Sequence, residues 1–344
     1  MTDENEAANF NKKDNAGEFC TYLLTIRRAL FDAEEAENFK TYFRLIADAG
    51  CEVLVIDGSP PDVFAEHAQI WRGVCRHAPV DSQYKYLNGK VNGIHTGVAL
   101  AEHNRVILAD DDIRYTPENV RRIADLLEKF DMVRPQNYFR PLPFWAKTEA
   151  ARMLINRAFI SEGDYSGTLG VTRNAMLRFG HYDGDVLFDN EESVRHFRFK
   201  NAKIKYARDF FILKLPPTFE KWIEQRPRQA YEDFVMHAKT VFFLALPVDF
   251  VLTQIVAGWR TALIYVLIIA LGSIFAAARG LGDGAPRYFP PLIIFCAPFW
   301  IVERSFSTYW AFYWYFTRGG YPFGDKVVSK GTGRAWKAES STDE

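Results

Sequence analysis

Three consecutive aspartates, Asp110, Asp111 and Asp112, follow the apolar run Val106–Ala109. A strand that buries Val106, Ile107 and Leu108 and then ends in acids carries carboxylates to the rim of a sheet. In open α/β folds that rim is where ligands bind. Asp110 and Asp112, spaced D-x-D, can share a hard divalent cation: Mg²⁺ or Mn²⁺ is held by one or two carboxylates together with substrate phosphates. Helix capping is the competing use for such acids, because Thr116-Pro117-Glu118 begins a helix. Thr116 already supplies the N-cap and Pro117 the first helical position, which leaves the acids for a metal and a diphosphate.

The elements that must position these acids alternate. Tyr22–Ile26 reads as a strand, and Asp32-x-x-Glu35 forms a capping box for a helix with Phe39, Phe43, Ile46 and Ala49 on one face, closed by Gly50. Val53–Ile56 is a continuous apolar strand ending in Asp57-Gly58-Ser59-Pro60. A helix-like block over 62–76, a loop around Asn88-Gly89-Lys90 and a helix over 91–101 precede the strand that carries the aspartates. A further helix, Pro117 to Phe130, aligns Val120, Ile123, Leu127 and Phe130. This alternation predicts an α/β fold with a mostly parallel sheet covered on both faces. From about 132 the connections become irregular, and charge dominates 189–209 and 219–233.

With 344 residues, the chain suffices for one large α/β domain and an appendage. A net charge of −1 and a pI near 6.7 carry no nucleic-acid footprint. Cys20, Cys51, Cys75 and Cys296 have no metal or C-x-x-C spacing and read as reduced core residues of a cytosol-facing protein. The histidines are scattered and read as structural. Met1–Glu18 is polar, without the apolar core of a secretory signal, and reads as a disordered tail.

A mean hydropathy of −0.17 conceals an asymmetry, because 240–316 is densely apolar and aromatic. Thr261–Ala278 is uncharged between Arg260 and Arg279, the length of a membrane span. Phe289–Val302 is a second apolar run, followed by Glu303-Arg304 and the aromatic stretch Tyr309–Phe316, which suits the headgroup level. Val241–Val256 contains Pro247 and Asp249, and Ala257–Arg260 are too few residues to reverse a full span. That segment is therefore expected to lie in the interface. Glu303 and Arg304 either pair in the bilayer or mark where a helix leaves it. The expected organisation is a polar tail over 1–19, a catalytic domain over 20–236 and a membrane module over 237–317. The module would hold an interfacial helix at 240–258 and spans at 261–278 and 289–310. A cytosolic tail over 318–344 would carry the basic residues Arg318, Lys326, Lys330, Arg334 and Lys337.

The order strand–Asp57-Gly58-Ser59, then Gly89-Lys90, then Ile107-Leu108-Ala109-Asp110-Asp111-Asp112 resembles a family 2 inverting glycosyltransferase of the GT-A fold. Gly167-Thr168-Leu169 with Arg173 resembles that family's acceptor-side segment. Phe188-Asp189-Asn190-Glu191-Glu192 stands in the place of its E-D base motif. Gln225-Arg226-Pro227-Arg228 matches Q-x-x-R of the Q-x-x-R-W motif in membrane-bound members such as ceramide glucosyltransferases and cellulose or hyaluronan synthases. The resemblance spans about residues 20–316. It implies a Rossmann-like GT-A domain followed by a helical membrane module, on the cytosolic side of a multi-pass cell-membrane protein. It also implies a nucleoside-diphosphate sugar donor, a UDP-sugar foremost, Mg²⁺ or Mn²⁺ as cofactor, and a lipid, lipid-linked or polysaccharide acceptor.

The chemistry such a reaction needs is a cation to hold the departing diphosphate and a carboxylate to deprotonate the acceptor hydroxyl. Asp57 suits a hydrogen bond to the nucleotide's base or ribose, or is an ordinary turn residue. Lys90, Gln225 and Arg228 suit the donor side, with Lys90 and Arg228 on phosphate. The alternatives are a solvated lysine and a surface arginine. Counted back from Asn201, Asn190 falls where the base belongs, and an amide accepts no proton. The base is then one of Asp189, Glu191 and Glu192. Asp189 and Glu192 share a helical face, with Asp189 first. Gln229 replaces the motif's tryptophan, with Tyr231 as its possible substitute. Two other readings compete. A nucleotidyltransferase would use a similar sheet, but Tyr22–Ala36 lacks a glycine-rich loop. A catalytically impaired membrane scaffold is the other, suggested by Asn190 and Gln229.

Overall fold

Asp32 starts the first helix as its spacing predicts: its carboxylate accepts from Glu35 N at 3.0 Å. Helix α1 (Ala33–Asp48) buries Ala36, Phe39, Phe43 and Ile46, and Gly50, at φ +90°, turns the chain into the next strand. The computed structural model describes residues 19–234, 237–323, 326–328 and 330–331. The expected N-terminal tail up to Glu18, Arg334 and Lys337 lie outside the described residues.

Strands β1 (Cys20–Ile26) and β2 (Cys51–Asp57) pair in parallel from Cys20↔Cys51 to Ile26↔Asp57. All of β2 is buried, as a parallel strand covered on both faces must be. The facing Cys20 and Cys51 are joined as a disulfide, which corrects their reading as reduced thiols. Cys75 and Cys296 are free. Helix α2 (Pro61–Trp71) leads to β3 (Arg76–Pro79), and α3 (Gly89–Leu100) to β4 (Arg105–Ala109). Helix α3 lies close on β1 because Gly97 lacks a side chain; a Cβ there would run into Leu23.

Beyond β4 the sheet becomes mixed. After β5 (Ile113–Arg114), α4 (Pro117–Leu126) opens on a Thr116–Asn119 capping box with Pro117 in the first turn. There follow β6 (Met132–Phe139), α5 (Phe144–Phe159), β7 (Leu169–Thr172), α6 (Arg173–Phe179), α7 (Asp189–Phe199) and β8 (Ile204–Lys214). The eight strands lie in the order β3-β2-β1-β4-β7-β6-β8-β5. The expected parallel sheet holds over β3-β2-β1-β4. β7, however, runs antiparallel to β4 and β6, and β5 antiparallel to β8. These reversals matter for position. The start of an antiparallel strand lies beside the end of its partner. Leu169 therefore faces Leu108, and Lys214 faces Ile113, at the edge where the aspartates sit.

Helix α8 (Phe219–Asp233) precedes α9 (His237–Arg279), which is broken at Gly258 (φ 79°, ψ 172°). Tyr265 donates to Leu246 O at 3.3 Å. In a straight helix those residues would stand about 28 Å apart, so the helix folds back into a hairpin. Each arm of ~21 residues measures about 31 Å. Lys239 pairs with Asp233 at 2.7 Å at one foot, and Arg157 donates to Gly280 O at 3.1 Å at the other. The break falls where the sequence places it. The helix expected over 240–258 forms the first arm, because one glycine with a positive φ reverses the chain after it.

Among the described residues, α9 is the one helix long and apolar enough to cross a membrane. The span expected over 289–310 does not form as a unit. Pro291–Cys296 is a 3₁₀ turn, and α10 (Ala297–Arg318) buries Trp300, Ile301, Arg304, Thr308 and Ala311. It exposes Phe299, Val302, Phe306, Tyr313 and Phe316. Arg304 and Glu303 do not pair with each other: Arg304 faces Asp233 at 3.5 Å and Glu303 faces Arg226 at 3.5 Å. Strand β9 (Tyr321–Phe323) pairs antiparallel with β10 (Lys326–Val328), and Lys330 O accepts from Leu187 N at 3.1 Å.

Candidate active site

The aspartates occupy the turn between β4 and β5, where Ile113 N donates back to Asp110 O at 3.1 Å. Each carboxylate meets a different cation. Asp110 lies 2.6 Å from Lys90 Nζ, Asp111 2.8 Å from Arg28 and Asp112 3.0 Å from Lys214 Nζ. Arg28 also grips Glu35 at 2.8 Å, so Asp111 ties the turn to α1. All three aspartates line a cavity of about 1050 Å³ at the rim of the sheet.

Lys90 sits in the first turn of α3 because Asn88 caps that helix, accepting from Lys90 N at 3.1 Å. The Asn88 amide also donates to Val186 O at 3.1 Å, which stitches α3 to the segment entering α7. Lys90 Nζ thereby reaches Asp189 at 2.8 Å as well as Asp110. Burial opposes its charge, but Asp110 and Asp189 outweigh that and raise its pKa. The solvated-lysine alternative therefore fails. Burial raises the Asp110 carboxyl against the pull of Lys90, and repulsion from Asp112 adds to the rise.

Two observations test whether these residues fit a divalent cation. Asp112 Oδ1 is buried and has no hydrogen-bond partner among the described residues. Gly167 leaves open the space beside the pair, where a Cβ would stand 2.9 Å from Asp110 Oδ2 and 3.4 Å from Lys214 Nζ. An all-oxygen donor set with an unused lone pair suits Mg²⁺ or Mn²⁺. The residues fit.

Of the three candidate bases, Asp189 and Glu191 line the cavity and Glu192 does not. Asp189 and Glu192, expected to share a face, are both buried on α7, and of the two Asp189 lines the cavity. Glu191 pairs with the buried Arg134 at 2.7 Å. Its carboxyl is raised, burial prevailing over Arg134. Asn190 Oδ1 accepts from Lys90 Nζ at 3.4 Å.

Helix α8 supplies another wall through Trp222, Gln225, Arg226, Arg228 and Gln229. Arg228 donates to Leu187 O at 2.9 Å and lies over the Phe188 ring, so it braces the two residues before Asp189. Arg226 contacts Glu149 directly, and Arg226, Arg152 and Arg304 outweigh burial to hold that carboxyl down at about 2. Tyr231 does not replace the missing tryptophan. It is buried against Phe234, Tyr315 and Tyr321, whereas Trp222 lines the cavity. Arg173 also lies elsewhere, donating to Val98 O at 2.9 Å and holding the end of α3.

Asp57 requires a correction too. Its carboxylate is enclosed, accepting from Ser59 N at 2.8 Å and meeting His67 Nδ1 at 2.7 Å and His77 Nε2 at 3.1 Å. It does not line the cavity, although Gly58 does. Burial favours protonation, but His77, Ser59 and His67 prevail and hold Asp57 down at about 2. A depressed carboxyl stabilises the fold at pH values above its unfolded pKa near 3.8, and that contribution is lost as pH falls toward 2. Asp57→Ala should cost about 3 kcal/mol at neutral pH, because it strands two buried imidazoles. Urea midpoints at pH 7 and 3 test this, and the deficit should shrink at the lower pH.

The sequence reading missed Lys214, Arg28 and Trp222. Lys214 closes the run Phe210–Leu213, but Lys205, Arg208 and Asp209 obscure that strand's pattern.

No protein-family model and no curated protein sequence matches the chain. Among solved structures it is similar to a mannosyltransferase from Pyrobaculum calidifontis in complex with GDP-Man and Mn²⁺. That likeness has 16% identity, covers 85% of this chain and 87% of that one, and has a TM-score of 0.49. It is also similar to glucosyl-3-phosphoglycerate synthase from Mycobacterium tuberculosis in complex with Mn²⁺, uridine-diphosphate and glucosyl-3-phosphoglycerate. There the identity is 15%, with 58% and 71% of the chains covered and a TM-score of 0.37.

Proposed function

We propose that the chain is a metal-dependent glycosyltransferase of the family 2, inverting kind, moving a hexose from a nucleoside-diphosphate sugar to a lipid or lipid-linked acceptor at a membrane. The observation that carries this reading is the convergence of the D-x-D pair, Lys90, Lys214 and Asp189 on one cavity. The acceptor hydroxyl gives its proton to Asp189 while its oxygen bonds to the anomeric carbon. The bond from that carbon to the diphosphate oxygen breaks, and the electron pair leaves with the nucleoside diphosphate. Attack opposite the leaving group inverts the configuration. Lys90 and Lys214 stand beside the position where negative charge develops, and fixed cations in a partly dry site stabilise such charge strongly. Asp110 and Asp112 would hold Mg²⁺ or Mn²⁺, which would supply neutralisation of the diphosphate.

The hairpin of α9 is read as the membrane anchor, with the catalytic domain on the cytosolic side. Its arms match a hydrocarbon core of about 30 Å, and Val256, Trp259, Leu263, Ile264, Ile268 and Leu271 face outward. Asp249 opposes insertion by about 3 kcal/mol, but each Leu, Ile, Val or Phe contributes roughly 0.3–0.6 kcal/mol in favour. The arms hold enough of these to outweigh one charge. In sealed vesicles, Arg260→Cys at the tip should react with an impermeant maleimide from the side opposite the domain. Reaction only from the domain's side would exclude a crossing hairpin. The function itself is tested by hydrolysis of a panel of nucleotide sugars by purified membranes, with and without Mn²⁺. Failure to cleave any of them sinks the glycosyltransferase reading.

A further inference from the structure

The loop over 164–168, just before β7, lies beside the aspartates and has its conformation set by side chains. Backbone N–H groups that are buried outside a ladder need another acceptor. Asp164 N donates to Gln136 Oε1 at 2.8 Å, Gly167 N to Asn137 Oδ1 at 3.0 Å and Thr168 N to Ser166 Oγ at 3.0 Å. Gln136 and Asn137 are buried neighbours on β6. There the pairing with β8 slips, from Arg134↔Tyr206 to Gln136↔Phe211. An irregularity of this kind re-aims the side chains that follow it, and it is common next to active sites.

Asn137 lines the cavity, yet it has no bond to spare for a substrate. Its Oδ1 also accepts from Ser166 Oγ at 3.0 Å, and its Nδ2 donates to Thr168 Oγ1 at 3.1 Å and Ile212 O at 3.2 Å. The partners fix the orientation of the amide, because Gly167 N can only donate and Ile212 O can only accept. A carboxylate there would lose both donor bonds, and an apolar side chain would lose all four. The peptide that Asn137 holds is the one packed against the metal pair, since a Cβ on Gly167 would stand 2.9 Å from Asp110 Oδ2 and 3.4 Å from Lys214 Nζ. We propose that Asn137 is a positioning residue for the cation and the diphosphate, acting through Gly167. A shift of that peptide toward the pair closes the room beside Asp110, and a shift away frees its carboxylate to turn. Gln136 serves the other end of the loop, where its Oε1 accepts from Asp164 N and from Arg157 at 3.1 Å. The inference rests on the proposed metal-dependent transfer and adds which buried side chain shapes its cation site.

The test compares Asn137→Leu with Gln136→Leu in the full chain. Each variant strips a buried amide from its partners, so both should lower the urea midpoint. Mn²⁺ binding, followed by electron paramagnetic resonance with and without uridine diphosphate, should separate them at matched folded fraction. Asn137→Leu should weaken Mn²⁺ binding at least about tenfold, the lower end for groups that orient metal ligands, while Gln136→Leu stays within about twofold. Ser166→Ala removes a single bond to Asn137 and should weaken binding in the same sense by about fivefold, the net worth of one hydrogen bond. It stands in for Asn137→Leu should that variant fail to fold. Equal weakening in the two leucine variants would reduce Asn137 to a structural role and overturn the proposal. Unmoved Mn²⁺ binding in Asn137→Leu, or in Ser166→Ala in its place, overturns it as well. If the unaltered chain binds Mn²⁺ and hydrolyses nucleotide sugars, that result faults Asn137 alone. No Mn²⁺ binding by the unaltered chain would end both this assignment and the metal-dependent reading.

Discussion

Asp110→Asn and Asp112→Asn should each abolish sugar transfer while leaving the fold nearly as stable as before. The two halves of that expectation have separate physical grounds. The Lys214–Asp112 pair is 23% and 38% exposed at its side chains, and pairs of that kind contribute under about 1 kcal/mol. Asp110 is more enclosed, but Lys90 keeps Asp189 as a partner when the Asp110 charge is removed. Transfer suffers far more, because an amide is a poor ligand for a hard cation. Losing the bridge to the diphosphate should cost several kcal/mol of transition-state stabilisation, a fall of roughly 10³-fold or more. Mn²⁺ binding, followed by electron paramagnetic resonance in the presence of a nucleoside diphosphate, should weaken in parallel. A double variant that transfers sugar at near the original rate would end the D-x-D assignment. Asp111→Asn is the internal control, since Asp111 is engaged with Arg28 and should affect stability more than metal binding.

What the sequence disclosed depended on how local the cause was. Helix starts at Asp32 and Thr116, and the buried strand before Asp110, follow from neighbours within four residues and appear in the structure as read. The β7 and β5 reversals depend on pairings with β4, β6 and β8 far along the chain, so Lys214 could not be placed beside Asp112 from spacing alone. Asp57 shows the same limit: its turn was legible, but the two histidines that enclose it come from α2 and β3. The apolar run at 289–310 misled for another reason. Hydropathy averages over a helix, whereas α10 buries Arg304, Ser305 and Thr308 on one face and bares Phe299, Val302 and Phe306 on the other. The break within 257–260 was legible in part because glycine takes a positive φ with little strain, as Gly258 does.

Asp189→Asn should lower transfer by roughly 10²–10⁴-fold, the usual worth of a positioned proton acceptor, and should leave donor binding close to unchanged. The argument is geometric. Among the three acids at this helix start, Asp189 alone both lines the cavity and contacts the lysine that also holds Asp110. Arg228 and Lys330 brace the residues just before it through Leu187, and Asn88 ties the same segment to α3. The carboxylate is therefore carried on a segment fixed from three sides, as a group that must meet a hydroxyl within hydrogen-bond reach requires. Glu191→Gln should behave differently. It leaves the buried Arg134 without its charged partner, so its main effect should be a loss of stability on the order of 3 kcal/mol, with transfer falling only as the folded fraction falls. Glu192→Gln, outside the cavity, should keep transfer within a few-fold. Transfer and donor binding measured at matched folded fraction separate these outcomes. If the Asp189→Asn protein transfers sugar within a few-fold of the unaltered chain, the acceptor is deprotonated elsewhere.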